Sequence, residues 1–145
     1  MPKLLKVVLL LAAGCTGVAI LLGIAGYFWF KSQKDEWKRG AEQAQADAAR
    51  FSEGRYCHDC VKESLTRLSS CSGLNCEIGA RLFLSECLRL TQPVDSSFCS
   101  GVPKKSEFLD TVSWRMDRCE QYGLEDDQGC PRILEEWQEY CAGEL

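Results

Sequence analysis

The hydrophobic and polar positions divide the chain into one stretch with no polar face and several with a clear one. Between Lys6 and Lys31 no side chain is charged. As a helix that run is ~36 Å long, enough to cross a hydrocarbon layer about 30 Å thick. An all-round apolar helix of this length belongs in lipid rather than on a water-soluble core, so residues 1–30 are expected to form a transmembrane anchor. Small residues recur through it as Ala12, Thr16, Ala19, Gly23 and Gly26, spaced four, three, four, three. Such a seam lets another helix backbone approach closely, which is how helices associate in lipid.

Two other readings touch the same segment. A cleavable secretory signal would have a shorter apolar run, whereas "TGVAILLGIAGYFWF" carries it past any suitable cut. The stretch "AAGC" looks like a bacterial lipoprotein site with Cys15 as lipid acceptor, but Ala12 stands where leucine is usual.

After "KSQK" the pattern changes to helical with a narrow stripe. Trp37, Ala41, Ala44, Ala48 and Phe51 follow the same four, three alternation, which predicts a helical stalk over residues 31–56 that stops near Gly54. From residue 57 onward the apolar positions fit four amphipathic helices. On the first, Cys60, Val61, Leu65, Leu68 and Cys71 share one arc; on the second, Cys76, Ala80, Phe83, Leu84, Cys87 and Leu90 do. The cysteine spacing explains itself in these terms, since eleven residues are three helical turns plus about 20°. Folding back at "SGLN" brings Cys71 to Cys76 beside the turn and Cys60 to Cys87 at the open end.

A second pair of helices follows the loop "TQPVDSSFCSGVPKKS". Ser106 is expected to cap a third helix whose core face is Phe108, Leu109, Val112, Met116, Cys119 and Tyr122. Trp114 falls off that arc, which marks it, with Trp37, as a possible partner contact. Pro131 suits the first turn of a fourth helix with Ile133, Leu134, Trp137, Tyr140 and Cys141 inward. The same folding-back logic pairs Cys119 with Cys130 and Cys99 with Cys141. The expected fold class is all-α: a transmembrane helix and stalk, then two disulfide-stapled helical hairpins over residues 57–145.

The "CVKESLTRLSSCSGLNCEIGARLFLSEC" hairpin, residues 60–87, resembles the coiled-coil-helix-coiled-coil-helix, or twin Cys-x9-Cys, fold of the mitochondrial intermembrane space. It departs from that pattern in having ten residues between each pair and a short turn. The resemblance implies oxidative folding and a role as a small structural subunit or assembly factor. A bacterial periplasmic domain would show the same spacing for the same physical reason.

Composition narrows the compartment. The chain has ten cysteines in 145 residues, a density that means disulfides in an oxidising space or thiolate-bound metal in a reducing one. Zinc on Cys57, Cys60, Cys71 and Cys76 is disfavoured, because helical Cys60 and Cys71 would lie ~16 Å apart. Lysines and arginines flank the apolar run on both sides and set no strong orientation. Their count alone leans slightly toward a cytosolic C-terminal domain, but the paired geometry of the cysteines outweighs it, so the N-terminus is expected on the cytoplasmic or matrix side, with the cysteine-rich domain in the periplasm or intermembrane space.

Charge and motifs exclude several functions. The formal charge is −4, and the residues from Cys57 onward are more acidic still, which argues against nucleic acid. "EDDQG" lacks the spacing of a calcium loop. No phosphate cradle is present, and His58 is the one histidine. The nearest approach to reactive chemistry is "CHDC", where Cys57, left over once eight of the nine cysteines after the apolar run pair, forms a Cys-x-x-Cys with Cys60. The expected function is a non-enzymatic, single-pass accessory or assembly subunit of a membrane complex. Its partners are the lipid bilayer and other membrane-protein subunits; no cofactor, metal or small-molecule substrate is inferred. The alternative is a membrane-tethered thiol-disulfide protein using Cys57 and Cys60.

Overall fold

The computed structural model describes the backbone of residues 3–70, 72–91 and 97–144, and within the first helix the side chains of residues 17, 20–32 and 34–52. Among the described residues every regular element is a helix: α1 (Lys3–Ser52), α2 (Cys57–Ser69), α3 (Leu74–Leu90), α4 (Phe108–Gln121) and α5 (Cys130–Ala142). The chain divides into two compact units, Met1–Arg39 and Gly40–Leu145.

In the first unit the apolar side chains from Ile20 to Phe30 are solvent-exposed, from 49% for Ile24 to 68% for Leu22. Among the described residues no helix is long and apolar enough to cross a membrane.

The second unit is built around α3 and α5, with α2 packed on both and α4 packed on α5. Local chemistry sets the helix ends. Gly54, at φ +67°, follows the end of α1 in a backbone conformation that costs other residues a steric penalty. The Asp59 carboxylate accepts a hydrogen bond from the Tyr56 N–H at 3.0 Å and so starts α2. Pro131 occupies the first turn of α5, and Gly143 closes that helix in the left-handed conformation.

Packing between α2 and α3 follows from their buried faces. Cys60, Val61, Leu65 and Leu68 of α2 meet Ala80, Phe83, Leu84, Cys87 and Leu88 of α3 in one core. Ser64 is fully buried there, and its hydroxyl donates to the Ala80 carbonyl at 2.8 Å, so the polar atom is satisfied. Ala44, Ala48 and Phe51, the C-terminal part of the stripe on α1, join this core. Phe51 meets Phe83 edge to face with centroids 5.6 Å apart, and Asp47 accepts an ion pair from Arg67 at 3.3 Å.

Three sequence expectations are corrected. Leu90, the last residue of α3, is 40% exposed, and Leu88, one turn after Leu84 on the buried face, is buried with Ala80, Phe83, Leu84 and Cys87. Ser106 does not cap α4; Glu107 takes that position, and its carboxylate turns back to accept the Lys104 N–H at 3.0 Å. The third correction is the largest. Of the arc expected to face the core, Cys119 alone is buried, while Phe108 and Leu109 are 72% and 79% exposed and Val112, Met116 and Tyr122 also face outward.

The inward face of α4 is instead Thr111, Trp114, Arg115 and Cys119. Trp114 packs edge to face on Trp137 at 5.4 Å. Arg115 donates to the Gln138 carbonyl oxygen at 2.6 Å, and the Gln138 amide donates to the Thr111 hydroxyl at 3.0 Å. An indole buries more apolar area than any single residue of the outward stripe. With the buried Gln138 satisfied by the same face, α4 is rotated by roughly 100° from the amphipathic expectation.

This arrangement predicts opposite outcomes for two apolar truncations. Trp137→Ala should cost about 3–5 kcal/mol in urea unfolding followed by circular dichroism, whereas Leu109→Ser should change stability by less than about 0.5 kcal/mol. Equal losses would place Leu109 in the core.

Candidate functional site

Sulfur and aromatic rings converge where the start of α2, the loop before α4 and the end of α5 meet. Cys60 and Cys87 form a disulfide with Cα atoms 5.8 Å apart, and both residues are fully buried. Cys99 and Cys141 form a second, with Cα atoms 5.4 Å apart. Cys119 and Cys130 form a third, spanning the α4–α5 connection with Cα atoms 6.0 Å apart. These separations lie within the range that accepts a disulfide without backbone displacement. Cys71 lies outside the described residues, and with it the expected Cys71–Cys76 pair.

Between the first two bonds lies an aromatic cluster. Phe98 is buried and stacks on Trp137, with centroids 4.9 Å apart and planes 17° from parallel. The Trp137 indole N–H donates to the Phe98 carbonyl at 3.2 Å, fixing loop and helix together. His58 stands edge-on to both rings, 4.9 Å from Phe98 and 5.9 Å from Trp137, and Tyr140 meets the other side of Phe98 at 5.8 Å.

Cys57 is a free thiol in the first turn of α2 and is 94% buried against this cluster. Its Sγ donates to the Tyr140 hydroxyl at 3.8 Å. Burial first, and then the neighbouring thiol, push the Tyr140 phenol above its ordinary pKa, so at neutral pH the phenol is uncharged. Cys60 is committed to Cys87 and sits 3.4 Å from the Thr91 hydroxyl. The Cys-x-x-Cys therefore comprises one free sulfur and one bonded elsewhere, with both shielded from water. Among the described residues no group of His, Cys, Asp and Glu side chains is placed to hold a metal ion.

Of the seam residues, the side chains of Ala12, Thr16 and Ala19 lie outside the described residues, as does that of Cys15. Gly23 and Gly26 lie on α1 with open space where a Cβ would stand. Trp37 is exposed. Trp114 is half-buried against Trp137 rather than standing free as a partner contact, because it forms the face by which α4 packs.

Several structurally decisive residues were not singled out from sequence. Phe98 sits in a loop, where periodicity gives no sign of burial. Glu136 is buried yet accepts from Arg81 at 2.6 Å and 2.9 Å, and Glu77 accepts from Arg132 at 2.8 Å. Both pairs join α3 to α5 across 55 residues of sequence. No local pattern signals contacts of that range. The one available hint for Phe98 was its place beside Cys99.

No family model, curated protein or solved structure matches the chain.

Mass spectrometry of non-reduced peptides should recover Cys60–Cys87, Cys99–Cys141 and Cys119–Cys130. In the same samples, Cys57 should resist alkylation by iodoacetamide until urea unfolds the chain. Rapid labelling of Cys57 in the native protein, or a Cys57–Cys60 bond, would contradict this arrangement.

Proposed function

We propose that the chain is a non-enzymatic, single-pass accessory or assembly subunit of a membrane protein complex, its disulfide-closed helical domain lying in an oxidising compartment outside the cytosol. The observation that carries this reading is the first unit. Its apolar side chains from Ile20 to Phe30 have no protein core to cover them. Such a surface is stable against lipid or a partner helix and not against water. Tyr27, Phe28, Trp29 and Phe30 stand just before Lys31, the order expected where a spanning helix leaves the bilayer. The spanning segment itself rests on the uncharged run from Val7 to Phe30 in the sequence.

The disulfides support the compartment, since bonds of this kind persist where thiols are not kept reduced. The resemblance of residues 60–87 to twin Cys-x9-Cys hairpins is compatible with the intermembrane space, and the bacterial periplasm meets the same chemical requirement. The alternative redox reading needs a thiolate that can reach a substrate disulfide. Cys57 is buried against Tyr140, and Cys60 is bonded within the core, which favours the structural reading.

Purification of the full chain from its native membranes in a mild detergent should retain at least one other membrane protein in fixed stoichiometry. A chain recovered in the aqueous fraction, or from membranes as an isolated monomer, would contradict the subunit reading.

A further inference from the structure

The disulfides among the described residues are not equally shielded. Cys60, Cys87, Cys119 and Cys130 are each at most 1% exposed, so the two bonds they form lie within the core. Cys99 and Cys141 are only partly buried, packed against its edge. Exchange needs a thiolate to reach a sulfur, which makes an exposed bond the labile one of a set. Its anchorage points the same way. Cys141 stands in the last turn of α5 and Cys99 in the loop before α4, and helix ends and loops are where local opening costs least.

The residues beside this bond are also the cover of Cys57, which is 94% buried. Tyr140 precedes Cys141 and accepts the Cys57 thiol hydrogen bond at 3.8 Å, while Phe98 precedes Cys99 and meets the Tyr140 ring at 5.8 Å. We propose that Cys99–Cys141 is a redox latch: a dithiol opens it ahead of the two core bonds, and its opening uncovers Cys57.

In the opening step one thiolate of the dithiol attacks a sulfur of Cys99–Cys141, forming a mixed disulfide and displacing the other cysteine as a thiolate that takes up a proton. The second thiol of the reductant, as thiolate, displaces the remaining cysteine, which is protonated in turn. Two electrons pass to the latch, and the dithiol leaves as its own disulfide. The bond joins residues 42 apart, the longest separation of the three, so its loss returns the most freedom to the chain.

The loop is loosened rather than released. The Trp137 indole still donates to the Phe98 carbonyl at 3.2 Å, the Gln138 amide to the Pro103 carbonyl at 2.7 Å, and Lys105 still pairs with Glu139 and Glu144. Reduction therefore raises the frequency of opening at this end of the domain, while Cys60–Cys87 and Cys119–Cys130 keep α2 on α3 and α4 on α5. The latch concerns the second unit alone, and it goes beyond the subunit reading, whose own test is separate.

The test takes the full oxidised chain in mild detergent, adds dithiothreitol as the dithiol, and samples the mixture with pulses of excess iodoacetamide, reading each cysteine by peptide mass. Cys99 and Cys141 should become labelled about tenfold faster than Cys60, Cys87, Cys119 and Cys130. Labelling of Cys57 should accelerate about tenfold as they do, with helical circular dichroism retained. Cys99→Ser with Cys141→Ser should expose Cys57 without any reductant and leave the two core bonds intact.

Loss of a core bond before Cys99–Cys141, or together with it, would overturn the proposal, as would unchanged labelling of Cys57 once the latch is open. A double-serine variant that loses its helical circular dichroism would overturn it too, since the bond would then hold the whole domain rather than one end.

Discussion

Covalent closure of a small helical core is the constraint on which the second unit depends. A domain of this size buries a modest fraction of its surface, and its hydrophobic gain is close to the entropy it must overcome. The disulfides change that balance by restricting the unfolded chain. With sequence separations of 27, 42 and 11 residues, they contribute roughly 3–4 kcal/mol each in the chain-entropy picture. Net stabilities of whole domains are about 5–15 kcal/mol, so the crosslinks rank with the core itself.

Their placement also organises what surrounds them. Cys60–Cys87 joins α2 to α3, Cys119–Cys130 joins α4 to α5, and Cys99–Cys141 ties the loop before α4 to the last turn of α5. Helix α5 is thereby fixed at both ends, and Trp137 on its inner face becomes the point where Phe98, His58 and Trp114 meet. The same closure seals Cys57 against Tyr140. A free thiol in a disulfide-closed domain is a hazard for exchange, and burial against Tyr140 keeps the Cys57 sulfur away from thiols and disulfides in solution.

The helices were legible in the sequence because their apolar residues recur at helical spacing and their ends carry Gly54, Pro131 and Gly143. The inward faces of α2 and α5 were legible for the same reason, and α3 differed at Leu88 and Leu90. Helix α4 was not. Its apolar arc is the stronger amphipathic signal, but rotation in the fold is set by Trp114, Thr111 and Arg115 meeting Trp137 and Gln138, residues 23 to 27 positions away. Periodicity locates an apolar face without saying what covers it. The buried Phe98 and the Arg81–Glu136 pair were hidden for a related reason, since each depends on a partner about 40 to 55 residues distant.

The most direct measurement is amide hydrogen exchange on the full chain, oxidised and then held in dithiothreitol. Disulfide closure predicts that the oxidised chain protects the central turns of α2, α3 and α5 and that reduction releases most of that protection. A reduced chain retaining the same slow-exchanging amides and the same urea midpoint would show that packing alone holds the helices, and would contradict the account.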